Sequence, residues 1–364
     1  MKMTKILVAC ADYPYENNVS MEYVHVRNIE YKKNNIVLDV LNFNAKNDYT
    51  IDGIRVVTLE NIEKKIEEYR DYILVCHAPN IRNHYFFLKK YEKVFKRLVF
   101  FLHGHEIVEK SKVYPPAYSF KRENFLINLF TRFYDKVKIS IWKKYFNNRD
   151  AKLIFVSKFL REEFKKNFKV SQDFINKKTV VIHNSVSYEF EINKYDQEAK
   201  KLYDFITIRS NLDSSVYCVD LIVDIAGNNI DRKFLIIGKG SYFEHRKLPD
   251  NISLIKDTFS HGDLLGYINQ ARYALMPTRR DSQGVMSCEL ATFGIPLITS
   301  DLEVCKEMFS DFKNVALLNN EDIAQEVKEI EKLSLKSGNQ NEKFYKENTI
   351  YKEIELLNRL YLSN

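Results

Sequence analysis

Pro277-Thr278-Arg279-Arg280-Asp281-Ser282-Gln283-Gly284-Val285-Met286-Ser287-Cys288-Glu289, closed by Gly294-Ile295-Pro296-Leu297-Ile298-Thr299-Ser300, decides how this chain is read. Two carboxylates flank a polar turn that contains a glycine. A helical run follows the turn, and a strand follows the helix. A turn of this kind aims backbone N–H groups at one point, where the helix dipole adds partial positive charge. That point suits a phosphate. Carboxylates repel phosphate but accept hydrogen bonds from sugar hydroxyls. A place for phosphate beside a place for sugar points to a sugar nucleotide.

Outward from this stretch, short apolar runs alternate with helical ones. Lys5–Ala11, Ile36–Asn42, Ile54–Leu59, Tyr72–His77, Leu98–Leu102, Leu153–Val156 and Val180–Ile182 have strand length. Ser20–Lys33 (with Ser20 as N-cap), Ile81–Lys96 and Ser157–Phe168 read as helices between them. The pattern then restarts with strands Phe205–Arg209, Phe234–Ile237, Ile252–Ile255 and Tyr273–Met276. Helices Val219–Ala226, His261–Ala271, Glu321–Leu333 and Asn341–Leu362 accompany these strands. Such alternation predicts an α/β fold of two doubly wound, Rossmann-like units, with ligands at the carboxyl ends of the strands in a central cleft. The boundaries fall at 1–188 and 189–340, with 341–364 as a C-terminal helix packing back on the first unit. Glu189–Lys201 reads as the linker.

The bulk numbers bound the class. A chain of 364 residues with 45% hydrophobic and 29% charged residues is globular rather than disordered. No apolar run reaches the ~18 residues of a membrane helix. The run Ile6–Ala11 is too short for a signal peptide core, so it reads as a first strand. Cys10, Cys76, Cys218, Cys288 and Cys305 are scattered, which suits reduced, buried thiols in a cytoplasmic protein. The net charge of +7 is uneven: residues 1–190 hold 34 Lys+Arg against 22 Asp+Glu, the remainder 22 against 27. A basic first half suits an anionic partner, whether nucleic acid, anionic lipid or a phosphorylated carrier. A lysine-rich solvated surface explains it equally simply.

In order, these residues resemble the retaining family 4 glycosyltransferases of the GT-B fold. Asp281-x7-Glu289 resembles that family's E-x7-E motif, with Asp for the first Glu, and Pro277 and Gly294-Ile295-Pro296 flank it as in the family. The resemblance implies that Glu289 holds the nucleotide ribose and that Asp281 contacts the transferred sugar. It further implies that the amides of Ser282, Gln283, Gly284, Val285 and Met286 hold donor oxygens. Arg209 matches the arginine that binds the diphosphate and stabilises the leaving group. His103, in Phe101-Leu102-His103-Gly104-His105-Glu106, matches a His-Gly near the transferred sugar. His105 and Glu106, with Asn17 and Asn18 in the first loop, are candidates for the acceptor side.

Three features depart from the family. The Lys-Gly that follows the arginine is Tyr217-Cys218 here, so one phosphate-binding cation is missing. Arg279, Arg280 or Lys239 (in Gly238-Lys239-Gly240) are the candidates to replace it. The first loop, Asp12 to Ser20, has no glycine where the family has two. His183-Asn184-Ser185-Val186 stands for Asn-Gly-Val and reads as a hinge.

Lys110–Phe146 holds nine Lys+Arg against Glu123 and Asp135. Phe125, Leu126, Leu129, Phe130, Phe133 and Val137 recur at helical spacing within it. This predicts an amphipathic helix, either core-facing or lying on an anionic membrane. His103 and His105 alone give only two ligands, so no metal site is expected. The expected activity is metal-independent, retaining transfer from a nucleotide sugar, most simply a UDP-sugar, with no cofactor. The expected acceptor is a bacterial surface glycan or lipid-linked glycan precursor, met in the cytoplasm or at the inner membrane face. Two rival readings stand beside it: a catalytically silent homologue serving as partner subunit or glycan-binding module, and a DNA-modifying glycosyltransferase.

Overall fold

The computed structural model describes residues 3–15, 20–121, 125–321 and 340–363, without the side chains of Phe125 and Leu126. Asn17, Asn18 and the expected helix after Glu321 lie outside the described residues. The chain divides into two compact units. One comprises Met1–Lys110, Phe130–Ser185 and Lys346–Asn364; the other comprises Ser111–Leu129 and Val186–Tyr345.

The first unit is built on β1 (Lys5–Cys10), β2 (Val37–Asn42), β3 (Tyr49–Ile51), β4 (Ile54–Val57), β5 (Ile73–His77), β6 (Arg97–Leu102), β7 (Ala151–Phe155) and β8 (Thr179–Val181). Their order in the sheet is β3-β4-β2-β1-β5-β6-β7-β8, and every pairing except β3 with β4 is parallel. β1, β5 and β6 are almost wholly buried, because helices cover both faces of a parallel sheet. The closing helix Ile350–Leu362 packs its apolar face into the same core as β1. Its Glu353, fully buried, takes the Arg27 guanidinium at 3.0 Å and the Tyr31 hydroxyl at 2.6 Å.

The second unit carries β9 (Tyr203–Asn211), β10 (Phe234–Lys239), β11 (Ile252–Ile255), β12 (Ala271–Met276), β13 (Leu297–Ser300) and β14 (Val315–Leu318). The order β11-β10-β9-β12-β13-β14 is parallel throughout. The two units are thus Rossmann-like α/β domains, as the alternation predicts. In each, the first strand sits inside the sheet and the chain turns outward in both directions from it. The switch points lie between β1 and β5 and between β9 and β12. A crevice opens at such a point, because the loops leave in opposite directions.

Several local expectations are corrected. The first helix runs Glu22–Lys33, and its N-cap is Met21 in a left-handed conformation (φ 61°) with no side-chain cap, so Ser20 does not cap it. Ile81–Lys96 is not one helix: a π-turn at Ile81–Tyr85, an α-segment Phe86–Tyr91 and a 3-10 turn at Glu92–Val94 follow one another. Strand β4 stops at Val57, because Thr58 caps a helix beginning at Leu59. The helical stretch expected from Asn341 opens with 3-10 turns, and the α-helix begins only at Ile350. Glu189–Lys201 is less of a free linker than its polarity suggests. Phe190 is fully buried, and Tyr195 N donates to Phe293 O at 2.8 Å.

Candidate functional site

Strand β12 ends at Met276, and the chain then makes the turn with which the sequence was read. Thr278 fixes it: its amide donates to Ser300 Oγ at 2.8 Å and its hydroxyl reaches Arg280 O at 2.8 Å. The half-buried Asp281 closes the turn on itself. Its Oδ1 accepts the amides of Ser282 at 2.8 Å and Gln283 at 3.1 Å. Gly284 follows with φ 73°, and a Cβ there would lie 2.9 Å from Asp281 Oδ2. Only glycine supplies both the left-handed backbone and the space. The helix Val285–Phe293 starts here, its first backbone bond running from Cys288 N to Gly284 O. The amides of Val285, Met286 and Ser287 therefore lie before any intrahelical acceptor. The five amides named from the sequence divide: Ser282, Gln283 and Gly284 serve the Asp281 carboxylate, and the open end of the helix begins at Val285.

Arg209, near the end of β9, faces the same turn. It is 6% exposed and donates from Nη2 to Pro277 O at 2.7 Å. Its guanidinium lies 4.9 Å from the centre of the Tyr217 ring, and its buried Nε has no hydrogen-bond partner among the described residues. Burial pulls its pKa down from the ordinary arginine value, and the nearby Asp281 charge opposes that shift. Asp281 is displaced the other way: burial raises it, while the turn amides and Arg209 hold it back. Gly238 lets β10 end against β9, since a Cβ there would collide with Arg209 O.

Tyr217-Cys218 lies where the resemblance expects Lys-Gly. Cys218 adopts φ 55° at the start of helix Val219–Asn228, so a cysteine carries the conformation a glycine would adopt without strain. Tyr217 spends its ring on Arg209 rather than bringing a second cation. Among the proposed substitutes, Arg279 is bound in a fork to Asp220, with Nη1–Oδ1 at 2.8 Å and Nη2–Oδ2 at 2.7 Å. Its charge is therefore matched within this unit. Arg280 lies over the Tyr114 ring at 5.3 Å. Lys239 is exposed, 3.9 Å from Asp257.

Glu289 is 2% exposed on the helix after the turn. Its Oε1 accepts the Ser187 amide at 3.1 Å and stands 3.6 Å from His261 Nε2. Burial raises its pKa, against the pull of His261 and the Ser187 amide. Ser187, Asp220, His261 and Thr278 were missed in the sequence. Ser187, Asp220 and His261 reach the site from distant segments that no local spacing marks, and Thr278 stands in the quoted stretch as a turn-fixing hydroxyl.

The first unit's candidates gather at the ends of β5 and β6. His103 is half-buried just after β6. Its amide and that of Gly104 both donate to Glu106, the latter at 2.6 Å. Glu106 is 1% exposed, so its carboxylate is spent on this loop and not on the acceptor side. His105 is partly exposed beside it. His77, ending β5, faces His103 with Nδ1 and Nε2 3.3 Å apart, a contact the sequence reading did not foresee. Among the described residues, no three His, Cys, Asp or Glu side chains group to hold a metal ion.

Of the basic, aromatic segment Lys110–Phe146, the part from Phe125 forms the helix Phe125–Asn148, and three residues of its apolar stripe face away from the core. Leu129, Phe130 and Phe133 are 55%, 69% and 66% exposed. Trp142, Tyr145 and Phe146, two turns on, are buried. Lys138 is buried with them, donating to His105 O, Val108 O and Asp135. It thus belongs to the interior and not to a solvated basic face. No helix among the described residues is long and apolar enough to cross a membrane.

Residues 214–350 match the family model Glycosyl transferases group 1. No curated protein matches the chain by sequence. The fold is similar to that of sucrose-phosphate synthase from Thermosynechococcus elongatus, with TM-score 0.70 and 12% identity over 99% of this chain and 100% of that one. TarM is similar at TM-score 0.69 and 12% identity, over 100% of this chain and 99% of that one. The pneumococcal O-GlcNAc transferase GtfA, solved with UDP and GlcNAc, is similar at TM-score 0.68 and 10% identity over the whole of both chains. The fold is GT-B, and the family match supports a glycosyltransferase.

Proposed function

We propose that this chain is a retaining glycosyltransferase that moves a sugar from a nucleotide sugar to a hydroxyl without a metal ion. The observation that carries the reading is Arg209, a buried guanidinium whose Nε has no partner among the described residues, beside Asp281 and the open end of helix Val285–Phe293. A desolvated cation with a donor to spare is suited to an anion that gains charge, as a departing diphosphate does. In this reading Val285 and Met286 offer amides to the phosphates, Glu289 takes the ribose hydroxyls and Asp281 a hydroxyl of the sugar. His103 orients the transferred ring. The leaving phosphate itself helps to deprotonate the acceptor. A UDP-sugar is the simplest donor, and a surface glycan or its lipid-linked precursor the simplest acceptor. Incubation with UDP-, ADP-, GDP- and dTDP-sugars tests this by release of free nucleotide, expected for one donor and lost in Glu289→Ala. Tyr217 in place of a lysine favours the silent-homologue reading. A nucleotide that raises Tm with no release from any donor would select it.

The exposed Leu129, Phe130 and Phe133 support attachment at the inner face of an anionic membrane. Arg132, Lys136 and Lys144 are exposed on the same helix, and the chain's positive surplus lies in its first half. Aromatic residues flanked by lysines suit the interface of an anionic bilayer. Recovery with floating phosphatidylglycerol vesicles, and not phosphatidylcholine ones, is expected. It should be lost in the Phe130→Ser, Phe133→Ser double variant. Equal recovery with both vesicles would sink the idea. A smaller particle size of that variant in lipid-free solution would point to a second copy instead.

A further inference from the structure

We propose that His77 is a positioning residue that holds His103 in its Nδ1–H tautomer. The two residues lie side by side across β5 and β6, where His77 pairs in register with Phe101. His77 is fully buried and stacked on the Phe101 ring, centroids 4.3 Å apart and planes 14° apart. Its Nδ1 lies 3.3 Å from His103 Nε2. Burial favours the neutral form of both rings, pulling their pKa values well below the ordinary one. Arg27 adds repulsion to both, as do His84 toward His77 and His105 toward His103.

A nitrogen–nitrogen contact between neutral imidazoles is a hydrogen bond only if one proton lies between them. Two assignments exist, and the far nitrogen of His77 separates them. His77 Nε2 is buried without a hydrogen-bond partner among the described residues. Were His103 the donor, the proton of His77 would have to sit on that Nε2, an orphaned buried N–H. Buried N–H groups without partners are the rarer fault in proteins, and a bare acceptor is the milder one. The positive Arg27 nearby also favours a lone pair over an N–H. His77 therefore donates from Nδ1, and His103 accepts at Nε2. The proton of His103 must then be on Nδ1.

The chemistry of His103 follows. Its only lone pair is used by His77, so it cannot take a proton from an acceptor. It can still donate from Nδ1 to a hydroxyl oxygen and orient it. That catalytic consequence rests on the transfer reading; the tautomer does not.

Long-range 1H–15N NMR of histidine-labelled protein at neutral pH reads the tautomers without turnover. Both His77 and His103 are expected as Nδ1–H. A His103 protonated at Nε2 overturns the proposal, whatever the variants do. In His77→Leu, His103 should shift toward Nε2–H, and kcat should fall roughly tenfold with KM little changed. His77→Asn keeps a donor near the Nδ1 position and should restore both. An unchanged His103 tautomer in a folded His77→Leu would equally overturn the proposal. Absence of turnover in every protein would count against the transfer reading alone.

Discussion

At the β5 and β6 ends of the first unit, the ionisable groups are neutral or spent on the chain itself. His77 and His103 face one another with burial favouring their neutral forms, and Glu106 clamps two amides of its own loop. At the β9 and β12 ends of the second unit, one cation and two carboxyl groups are buried. Arg209 is buried with one nitrogen unmatched, and Asp281 and Glu289 are carboxylates whose protonation burial favours. Buried charge is costly, and a stable fold alone would remove it. Under the proposed transfer, a buried cation suits an anion and uncharged imidazoles suit hydroxyls. In the proposed reaction the second unit takes the diphosphate and the first unit touches sugar.

The strongest way to break this comparison is to remove the charge that defines it. Arg209→Ala is expected to lower kcat/KM for the nucleotide sugar by about 10²–10³, the usual loss for a transition-state charge stabiliser. Arg209→Lys should not restore it. A lysine cannot donate to Pro277 O and to a phosphate in one plane, nor lie flat on Tyr217. Steady-state release of free nucleotide measures both. Activity in Arg209→Ala within a fewfold of the parent would mean that the second unit's charge is structural.

Much of this frame was legible in the sequence. β1, β5 and β6 are largely apolar runs, as a buried parallel strand requires, and each of them, like the apolar centre of β9, is legible to within two residues at either end. β3 and β14 were missed, being only three and four residues long and half-buried at most positions. The left-handed conformation of Cys218 could not be foreseen from a cysteine. The pairings that set the electrostatics were also hidden. Arg279 meets Asp220 from 59 residues away, and His77 meets His103 from 26 away. Periodicity in Phe125–Asn148 named the apolar residues but not which of them face the core. Lys138 shows why: Asp135 neutralises it one turn away, so a charge can sit on the buried side.

A finer test asks whether the buried carboxyl of Glu289 costs stability. Glu289 has its folded-state pKa raised by burial. A raised carboxylate favours the protonated native state. Its contribution to stability is present below the ordinary glutamate pKa and is lost as pH rises through the folded value. Above the folded value the unliganded protein therefore bears the cost of a buried carboxylate at Glu289. Glu289→Gln removes that cost while its Oε1 can still accept the Ser187 amide. The variant should melt about 2 °C above the parent at neutral pH. The gap should close as pH falls toward about 4, where the parent carboxyl is protonated too. The same variant should lose the nucleotide-induced rise in Tm, because a neutral amide cannot accept two ribose hydroxyls as a carboxylate does. Melting curves across pH, with and without UDP, check both halves. A lower Tm for Glu289→Gln at neutral pH would mean that the charge of Glu289 earns its place through His261, 3.6 Å away. The second unit would then resemble the first, with its carboxylate serving the fold and not the ligand.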